Sequence, residues 1–538
     1  MRFQGNILLV LSLIFLIGCA NVSSPLGGPE DETPPKLLSS IPEQGQTNYK
    51  GQSLYLTFDE WVTTKNIETD AIITPRVTGS FRSRVKKNVV EITFYEPLLE
   101  NTTYTINFGP TIQDVTNSNI AENPNLSFST GPYMDSLSIS GTIKSLLDQE
   151  PAEKILVALY SDQDTTDILN GVASFINKTD TSGYYQFPNL PPGNYRVYAT
   201  KDKNRNNKAD SQSEQYGFYP DTIKLASNVP DVNFTIQSLN TTQIRRSSAR
   251  HFGEYFDLTF NKEFTSFEIL NQDNLFYRPE GKDKIRFFRN NLNYGDTLEL
   301  IYQVNDSLNT DLRDTVGLYF SPSKLDKSDF TISLAPNNSQ AVPGDTLIFK
   351  FSKPIINYNL DSLLLQIDST QTVPFNQDLF KLNQYKTELN TGIPLTNYLK
   401  TNQPLLTLSS KPSAFISADQ DSSTLLEKEF RYTPPNETAI VHGQIITNAP
   451  NIIVQLLNAN TRTVVRETYQ KNYRFEYLPA GRYMVRVIND KNNNRKLDIG
   501  NILTNQIPED VHYYFDTYYQ TKVIEVRKNW ESTANISF

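Results

Sequence analysis

Two short loops carry side-chain oxygens of the kind that bind calcium. Each follows the pattern Asp-x-Asn-x-Asn-x-Lys-x-Asp, with oxygens at positions 1, 3, 5 and 9 and a lysine carbonyl at position 7. The side chains are Asp202, Asn204, Asn206 and Asp210, and then Asp490, Asn492, Asn494 and Asp498. Calcium takes about six to eight oxygens, and well-characterised loops supply a bidentate Glu at position 12. Ser213 or Asn501 stands there instead. Two hypotheses remain open: a calcium site, and a polar hairpin in which Asp and Asn accept backbone N–H groups.

Residues that could build a catalytic centre are few. His251, His442 and His512 are the only histidines of the chain, and their separation disfavours a Ser/His/Asp triad or a histidine-metal cluster. No glycine-rich phosphate loop follows a strand and opens a helix. The 59 acidic residues leave a glycosidase-type carboxylate pair open. We therefore predict that the protein is not an enzyme, with a cryptic hydrolase as an alternative.

A third kind of chemistry concerns modification of hydroxyl groups. Triplets of Asp, then Ser or Thr, then an aliphatic residue recur along the chain, and they resemble an O-glycosylation acceptor of some bacterial envelopes. Their hydroxyl residues are Ser136, Thr222, Thr297, Ser307, Thr315, Thr346 and Ser362. The same triplet also arises where Asp ends a turn and the next residues start a strand, so both interpretations stand.

The start of the chain predicts export and lipidation. Arg2 precedes an apolar run from Ile7 to Ile17, which has the length of a signal-peptide core and is too short to span a bilayer. The run ends in Leu16-Ile17-Gly18-Cys19, which resembles a lipobox. The resemblance implies that residues 1–18 are a signal peptide and that Cys19 becomes an acylated N-terminus. Acyl chains, palmitate among them, would then hold the protein in a membrane.

The next segment predicts a flexible tether. Residues 19–35 are rich in Pro and Gly and carry Glu30-Asp31-Glu32, a composition that buries little apolar surface. Position 20 is Ala, so the retention signal of inner-membrane lipoproteins is missing. Acidic residues after the lipidated Cys resemble export signals of surface lipoproteins. We expect an outer-membrane lipoprotein that faces the cell surface, rather than the periplasm.

Beyond the tether, the chain has the signature of all-β domains. Short alternating runs such as Ser53 to Phe58 and Val89 to Tyr95 predict half-buried antiparallel strands, with turn residues between them. At 538 residues the chain is long enough for several domains. Cys19 is the only cysteine, so no internal disulfide can form. The net charge of −9 disfavours nucleic acid as a partner.

One motif set occurs twice without a gap. Tyr-x-Phe, Leu-Pro-x-Gly-x-Tyr-x-Val and Asp-Lys-Asn occur in 185–204 and again in 473–492, at a constant spacing of 288 residues. This pattern resembles carboxypeptidase-regulatory-like and Cna-B-type domains. The resemblance implies seven-stranded, transthyretin-like sandwiches over 133–238 and 437–538.

A fainter repeat predicts three further sandwiches. Phe58-Asp59-Glu60 and the closing strand that ends at Gly131 resemble a bacterial Ig-like domain, which the sequence predicts over 36–132. The segment from Gly344 to Phe351 resembles the segment from Gly51 to Phe58, and this similarity predicts a second Ig-like domain over 331–436. Residues 239–330 contain similar strands and are assigned to the same class. The fold prediction is thus a tandem array of antiparallel β-sandwiches behind a lipoprotein signal peptide.

These features together predict a structural role. We expect an envelope lipoprotein that presents docking surfaces to another protein, in one version an accessory subunit of an outer-membrane assembly or export complex. The expected partners are the membrane, through the lipid, and an outer-membrane protein. An alternative is capture of surface glycans, with Trp61 and Trp530 as the only tryptophans. The dense aromatics Tyr513-Tyr514-Phe515 and Tyr518-Tyr519 fit either a docking edge or a buried hairpin.

The anchor gives a first testable prediction. Cys19→Ala removes the thiol that would be acylated, so labelled palmitate should no longer enter the protein and the product should leave the membrane fraction. Metabolic labelling and fractionation in the native bacterium measure both effects. Retention of the label by the variant would contradict lipidation at Cys19.

Overall fold

The computed structural model describes residues 31–538 apart from 78, 123, 163, 211–213, 239, 273, 290–294, 309, 323–327, 337–339, 368–370, 374, 398–404 and the side chains of 394 and 396. Cys19, the predicted signal peptide and most of the predicted tether lie outside the described residues. Within them, no helix is long and apolar enough to cross a membrane. Nearly all regular structure is β-strand, and we group the strands into five modules by the hydrophobic cores they enclose.

Module 1 shows how alternation builds a sandwich. In β2, Leu54, Leu56 and Phe58 point into the core while Tyr55 faces outward. One sheet has the order β1-β2-β6-β5 and the other β4-β7-β9, with β3 paired to β8. The elements are β1 (Leu37–Ile41), β2 (Ser53–Phe58), β3 (Val62–Thr64), the short helix α1 (Ile67–Asp70), β4 (Ile72–Thr74), β5 (Phe81–Lys86), β6 (Val89–Phe94), β7 (Thr103–Asn107), β8 (Ile112–Asp114) and β9 (Asn125–Ser129).

Module 2 follows directly. Its strands are β10 (Leu137–Ser145), β11 (Leu156–Ser161), β12 (Phe175–Lys178), β13 (Tyr184–Leu190), β14 (Gly193–Thr200), β15 (Gln215–Phe218), β16 (Ile223–Leu225) and β17 (Phe234–Ser238). They follow one path, β12-β11-β14-β15-β17-β10-β13, with β16 beside β14. Most neighbours are antiparallel, but β10 and β17 run parallel.

Module 3 pairs a four-stranded sheet, β18-β19-β22-β21, with a three-stranded sheet, β20-β23-β24. Phe256, Leu258 and Phe260 of β19 are buried in its core. The strands are β18 (Arg246–His251), β19 (Tyr255–Phe260), β20 (Ser266–Ile269), β21 (Phe276–Pro279), β22 (Lys284–Phe288), β23 (Thr297–Asn305) and β24 (Asp311–Tyr319).

Module 4 contains the sheets β25-β27-β32-β31 and β26-β35-β33-β29-β30, with β28 paired to β34. The strands are β25 (Ile332–Ala335), β26 (Gln340–Ala341), β27 (Thr346–Phe351), β28 (Ile355–Tyr358), β29 (Leu363–Gln366), β30 (Thr372–Val373), β31 (Lys381–Leu382), β32 (Glu388–Pro394), β33 (Leu405–Ser410), β34 (Phe415–Ser417) and β35 (Leu426–Tyr432).

Module 5 repeats the arrangement of module 2. Its strands are β36 (Ala439–Ile446), β37 (Ile452–Asn458), β38 (Val464–Thr468), β39 (Asn472–Leu478), β40 (Gly481–Asn489), β41 (Val511–Tyr513), β42 (Ile524–Val526), β43 (Glu531–Thr533) and β44 (Ile536–Ser537). The sheets are β39-β36-β43, with β44 beside β36, and β38-β37-β40-β41, with β42 beside β40. Short 3-10 turns interrupt modules 1, 4 and 5 at Gly109–Thr111, Leu360–Ser362, Gln377–Leu379, Leu395–Asn397, Pro435–Glu437 and Ile502–Thr504.

Five separate cores of aromatic and branched residues lie between these sheets, one in each module. The predicted fold class, tandem antiparallel β-sandwiches, is confirmed. Strands in the predicted half-buried runs alternate between core and solvent because successive side chains of a strand point to opposite faces. The predicted domain limits stay a prediction.

Modules 2 and 5 share their internal contacts. Tyr195 and Tyr483 each donate a hydroxyl hydrogen bond, of 2.9 Å, to the carbonyl of the proline four residues earlier. In both modules a glycine of the first strand, Gly141 or Gly443, lies against the returning chain: a Cβ there would sit 2.1 or 2.2 Å from a backbone carbonyl oxygen. The motif set repeated at 288 residues therefore encodes one fold built twice.

Modules 3 and 4 each bury a lysine against an aspartate. Lys262 follows β19, and its ammonium lies 2.6 Å from Asp306. Lys353 follows β27, lies 2.9 Å from Asp419 and also contacts Asp421. Both lysine side chains are almost completely buried. Burial acts to raise the pKa of Asp306, but the hydrogen bonds that its carboxylate accepts from Lys262, Thr310 and Leu308 together lower that pKa. Each ion pair joins the end of a core strand to a distant loop.

Module 1 has an acid at the corresponding place after β2. There Glu60 takes the position of the lysine, and burial together with the charge of Asp114 raises its pKa. Asp114 accepts the backbone N–H groups of Asn117, Ser118 and Asn119 at 2.6 to 3.1 Å. The aspartate therefore organises a loop in module 1 without a lysine.

The buried lysine of module 4 gives a stability prediction. Lys353→Met removes the buried ammonium that contacts both Asp419 and Asp421, and breaking a buried ion pair costs about 3–5 kcal/mol. Native-state hydrogen exchange of β27 and β33 measures the loss. The control is Lys350→Met: Lys350 pairs with Glu388 at 3.4 Å, both half exposed, and such pairs contribute about 0.2–1 kcal/mol. Equal effects of the two changes would contradict the prediction.

Candidate functional site

The first Asp/Asn loop follows β14, and its side chains accept hydrogen bonds from its own backbone. Asp202 accepts the N–H groups of Asn206 and Asn207 at 3.1 and 2.8 Å. The Oδ1 atom of Asn206 accepts the N–H of Lys208 at 2.9 Å. These bonds pair backbone donors that the loop would otherwise leave free.

The second loop, after β40, repeats this geometry. Asp490 is almost completely buried and accepts the N–H groups of Asn494 and Arg495, both at 3.0 Å. The side-chain amides of Asn492 and Asn494 donate to Asp498 at 2.5 and 3.1 Å. All eight predicted calcium ligands therefore lie in two equivalent loops, and several of their oxygens bind N–H groups of the same loop.

Two glutamates that the sequence did not single out complete the loops. Glu214 accepts the N–H groups of Lys203 and Asp210 at 2.6 and 2.8 Å. Glu509 accepts those of Lys491 and Asp498 at 2.8 and 3.0 Å. Both are almost completely buried, and burial raises the pKa of Glu509. These glutamates are 295 residues apart, so an insertion in the second copy takes them out of the constant spacing.

The arrangement bears on metal binding. Within the described ranges, no three His, Cys, Asp or Glu side chains converge in a way that could hold a metal ion. A calcium ion would have to draw on asparagine and backbone oxygens as well. Calcium binding by the eight candidate residues stays a prediction.

Both loops touch another module. Arg205 of the first loop forms an ion pair with Asp70 of module 1 at 3.4 Å. After the second loop, Ile499 and Ile502 pack against a buried cluster that contains Tyr160 of module 2 and Leu308 of module 3. Polar contact adds to this, since the Asn501 amide donates to the Leu308 carbonyl at 3.4 Å. The loops thus lie where modules meet.

A second contact joins the duplicated modules. The hairpin after β10 places Leu146 in a buried cluster with Ile453, Ile488 and Val511 of module 5. We call this contact, together with the Leu308 cluster, the repeat joint. Around Leu146, the Tyr513 hydroxyl donates to the Leu147 carbonyl at 2.5 Å, and Lys522 forms an ion pair with Glu150, also at 2.5 Å. An apolar centre with a polar rim is the anatomy of a specific protein interface.

The three histidines do not form a triad. His251 shares a hydrogen bond of 3.0 Å with Ser321 in module 3. In module 5, His442 contacts Thr533 and Glu531, both through the same ring nitrogen, Nε2, whereas a triad uses two ring nitrogens. His512, in the same module, stacks on Phe538, and burial lowers its pKa. The expectation that each histidine lies in a different domain is wrong for one pair, because His442 and His512 both belong to module 5.

The predicted glycosylation residues all reach the surface to some degree. Ser136, Thr222, Thr297, Ser307 and Thr315 are exposed, and Thr346 and Ser362 are half-buried. In the triplet of Ser307, the preceding Asp306 is buried and accepts the N–H groups of Leu308 and Thr310, both at 2.9 Å, so folding alone explains that triplet. Glycosylation stays a prediction for all seven.

Comparison with known proteins supports one domain assignment. Residues 31–130 match the bacterial Ig-like domain family. The prediction that this part of the chain is a bacterial Ig-like domain is confirmed, while its predicted limits, 36–132, stay a prediction. Residues 149–244 match a family described as an uncharacterized protein conserved in bacteria, which leaves the carboxypeptidase-regulatory-like assignment a prediction. None of the curated proteins compared with the chain matches it.

Solved structures resemble parts of the chain weakly. The N-terminal part of the bacterial S-layer protein SbsC is 15% identical with a TM-score of 0.15; the match covers 32% of this chain and 42% of that one. The major pilin subunit BcpA of Bacillus cereus is 10% identical with a TM-score of 0.13, covering 75% of this chain and 99% of the pilin. Domains A168–A170 of titin are 10% identical with a TM-score of 0.13, covering 46% and 91%.

The second loop gives a further prediction. Asp490→Ala leaves two N–H groups without their acceptor, which costs about 1–3 kcal/mol. Hydrogen exchange of residues 489–499 should rise equally in calcium and in a chelator. Asp510→Ala is the control because its carboxylate is exposed and its contacts, with Lys491 at 3.2 Å and the Asn489 amide at 3.3 Å, lie at the surface. If calcium slows hydrogen exchange of these residues in the unchanged protein but not in the Asp490→Ala variant, the loop is instead a calcium site.

Proposed function

We propose that the protein is a non-enzymatic, lipid-anchored protein of the outer membrane that faces the cell surface and acts as a structural and protein-interaction module. In its specific form, it is an accessory subunit of a complex that assembles or exports outer-membrane proteins. Anchoring through Cys19 would keep the array beside its partner. The tether would set the distance from the bilayer.

The repeat joint is the observation that carries this proposal. Flexibly linked domains rotate freely unless a sizeable apolar interface holds them. Here Leu146 and Leu308 place apolar side chains of modules 2 and 3 against module 5. Modules that are distant in sequence are therefore held in one arrangement, which a scaffold for another protein requires.

Two further features support a binding role over a catalytic one. Residues 31–130 match the bacterial Ig-like domain family, and immunoglobulin-like sandwiches commonly act as spacers and docking walls. The histidines contact a serine, a threonine, a surface glutamate and the rings of a tyrosine and a phenylalanine, which are contacts typical of structural residues.

Crosslinking in native membranes tests the proposal. A tagged full-length chain is treated with an amine-reactive crosslinker, and the crosslinked products are identified by mass spectrometry. We expect the same integral outer-membrane protein to be recovered with the chain in every preparation. The variant Leu146→Asp should weaken that association several-fold, because a buried carboxylate at the joint disfavours docking of module 5.

Leu147→Asp is the matched control, since Leu147 is half exposed at the tip of the same hairpin. Recovery of the lipoprotein without any membrane protein would count against the proposal. Recovery of the partner with unchanged yield from the Leu146 variant would show that the joint is not needed for binding.

A further inference from the structure

The outer face of module 5 carries a groove that the proposed function does not use. Its volume is about 530 Å³, within the range of about 300–1,000 Å³ typical of small-ligand sites. Three aromatic side chains line it: Tyr514, which is half-buried, and Tyr519 and Trp530, which are 72% and 55% exposed. Such exposure is unusual for residues that normally bury much of their surface.

The turn that presents Tyr519 is held in one conformation. The carboxylate of Asp516 accepts the N–H groups of Tyr518 and Tyr519 at 2.9 and 3.0 Å. Backbone bonds between Asp516 and Thr521 close the turn. Tyr518 packs edge-to-face on Tyr519, with ring centres 4.8 Å apart. The exposed ring therefore loses little conformational freedom when a ligand covers it.

Two contacts also hold Trp530 in place, one through its backbone and one through its ring. Its carbonyl accepts the N–H of Ile440 at 2.9 Å, which ties it to the first strand of the module. The Arg527 guanidinium lies 5.2 Å from the indole centre. Cation–π contact of this kind orients the indole while leaving it at the surface.

Charged groups of both signs surround the two rings. Arg482 and Glu525 are exposed partners on the neighbouring strands β40 and β42, and both line the groove with Asp516 and Arg527. Two cations and two carboxylates balance in charge. The guanidinium groups offer hydrogen-bond donors, and the carboxylates offer acceptors, beside the rings of Tyr519 and Trp530.

We propose that this groove binds a neutral oligosaccharide. A sugar ring presents an apolar C–H face, which packs on an aromatic ring, and an equatorial edge of hydroxyl groups, which bind carboxylates and guanidinium groups. A protein docking surface would have a desolvated apolar centre, whereas charges interrupt this one. An anionic glycan or nucleic acid would need a net positive groove. The site goes beyond the proposed function and does not depend on it.

The chain supplies its own reporter, since Trp61 and Trp530 are its only tryptophans. In a Trp61→Phe background of the full chain, fluorescence comes from Trp530 alone. An array of neutral gluco-, manno-, xylo- and galacto-oligosaccharides should yield binders, and titration of the best binder should shift the Trp530 emission. Trp530→Ala and Tyr519→Ala in the unchanged chain should each weaken binding on the array roughly tenfold or more.

Trp61→Ala is the matched control: Trp61 is 62% exposed beside Lys87 but belongs to module 1. It should bind as the unchanged chain does. Trp530→Phe keeps an aromatic face and should restore most of the affinity, which separates stacking from a folding defect. Absence of binding to every oligosaccharide, or equal binding by the Trp530→Ala variant, would overturn the proposal. Loss of the crosslinked membrane partner in that variant, with no sugar bound, would reassign the groove to protein docking.

Discussion

Where the chain leaves a strand inside a sandwich, its backbone N–H and C=O groups no longer have a neighbouring strand as partner. They need other hydrogen-bond partners, because an unpaired buried group costs free energy of folding. The loops of this protein meet that constraint with buried side chains. Asp114 does so in module 1, Asp306 in module 3, and Asp490 with Glu509 in module 5. Where such a carboxylate also receives a buried lysine, as Asp306 does, the loop is tied to the end of a core strand. Two of these loops bear on the arrangement of the modules, because the loop of Asp306 carries Leu308, which packs against Ile499 and Ile502 just after the loop of Asp490.

Strands were predictable because their signal is local. Alternation in β2 and in the repeated Tyr-x-Phe strands follows from the two-residue period of a strand, and the Leu-Pro-x-Gly turn marked a duplication. The Asp/Asn loops were found as pairs for the same reason. Their chemistry was harder to predict, since Glu214 and Glu509 lie at different distances from the loops they complete. A search for a constant offset between the two copies would therefore not have identified these glutamates as equivalent residues.

Lys353 and Leu146 illustrate what sequence could not reveal. Lysine is mostly exposed in proteins, so a buried one is not expected until Asp419 and Asp421 are seen beside it. Leu146 lies in an ordinary hairpin, and its burial depends on a module that begins almost 300 residues later. Contacts between residues so far apart in the sequence produce no periodic pattern of apolar residues from which they could be predicted. The exposed aromatics of module 5 were visible as a dense run, but only the fold shows that Tyr518 and Tyr519 face solvent.

The parallel pairing of β36 with β43 and β44 has a mechanical consequence. β36 is the first strand of module 5, and its partners β43 and β44 are the last two strands of the same module. A force that pulls these two ends apart acts along the strands, so their hydrogen bonds are sheared together and do not open one after another. Module 2 has the same geometry in β10 and β17. Because forced unfolding is governed by the height of the unfolding barrier, this shear geometry should make both copies resistant to extension between their first and last strands.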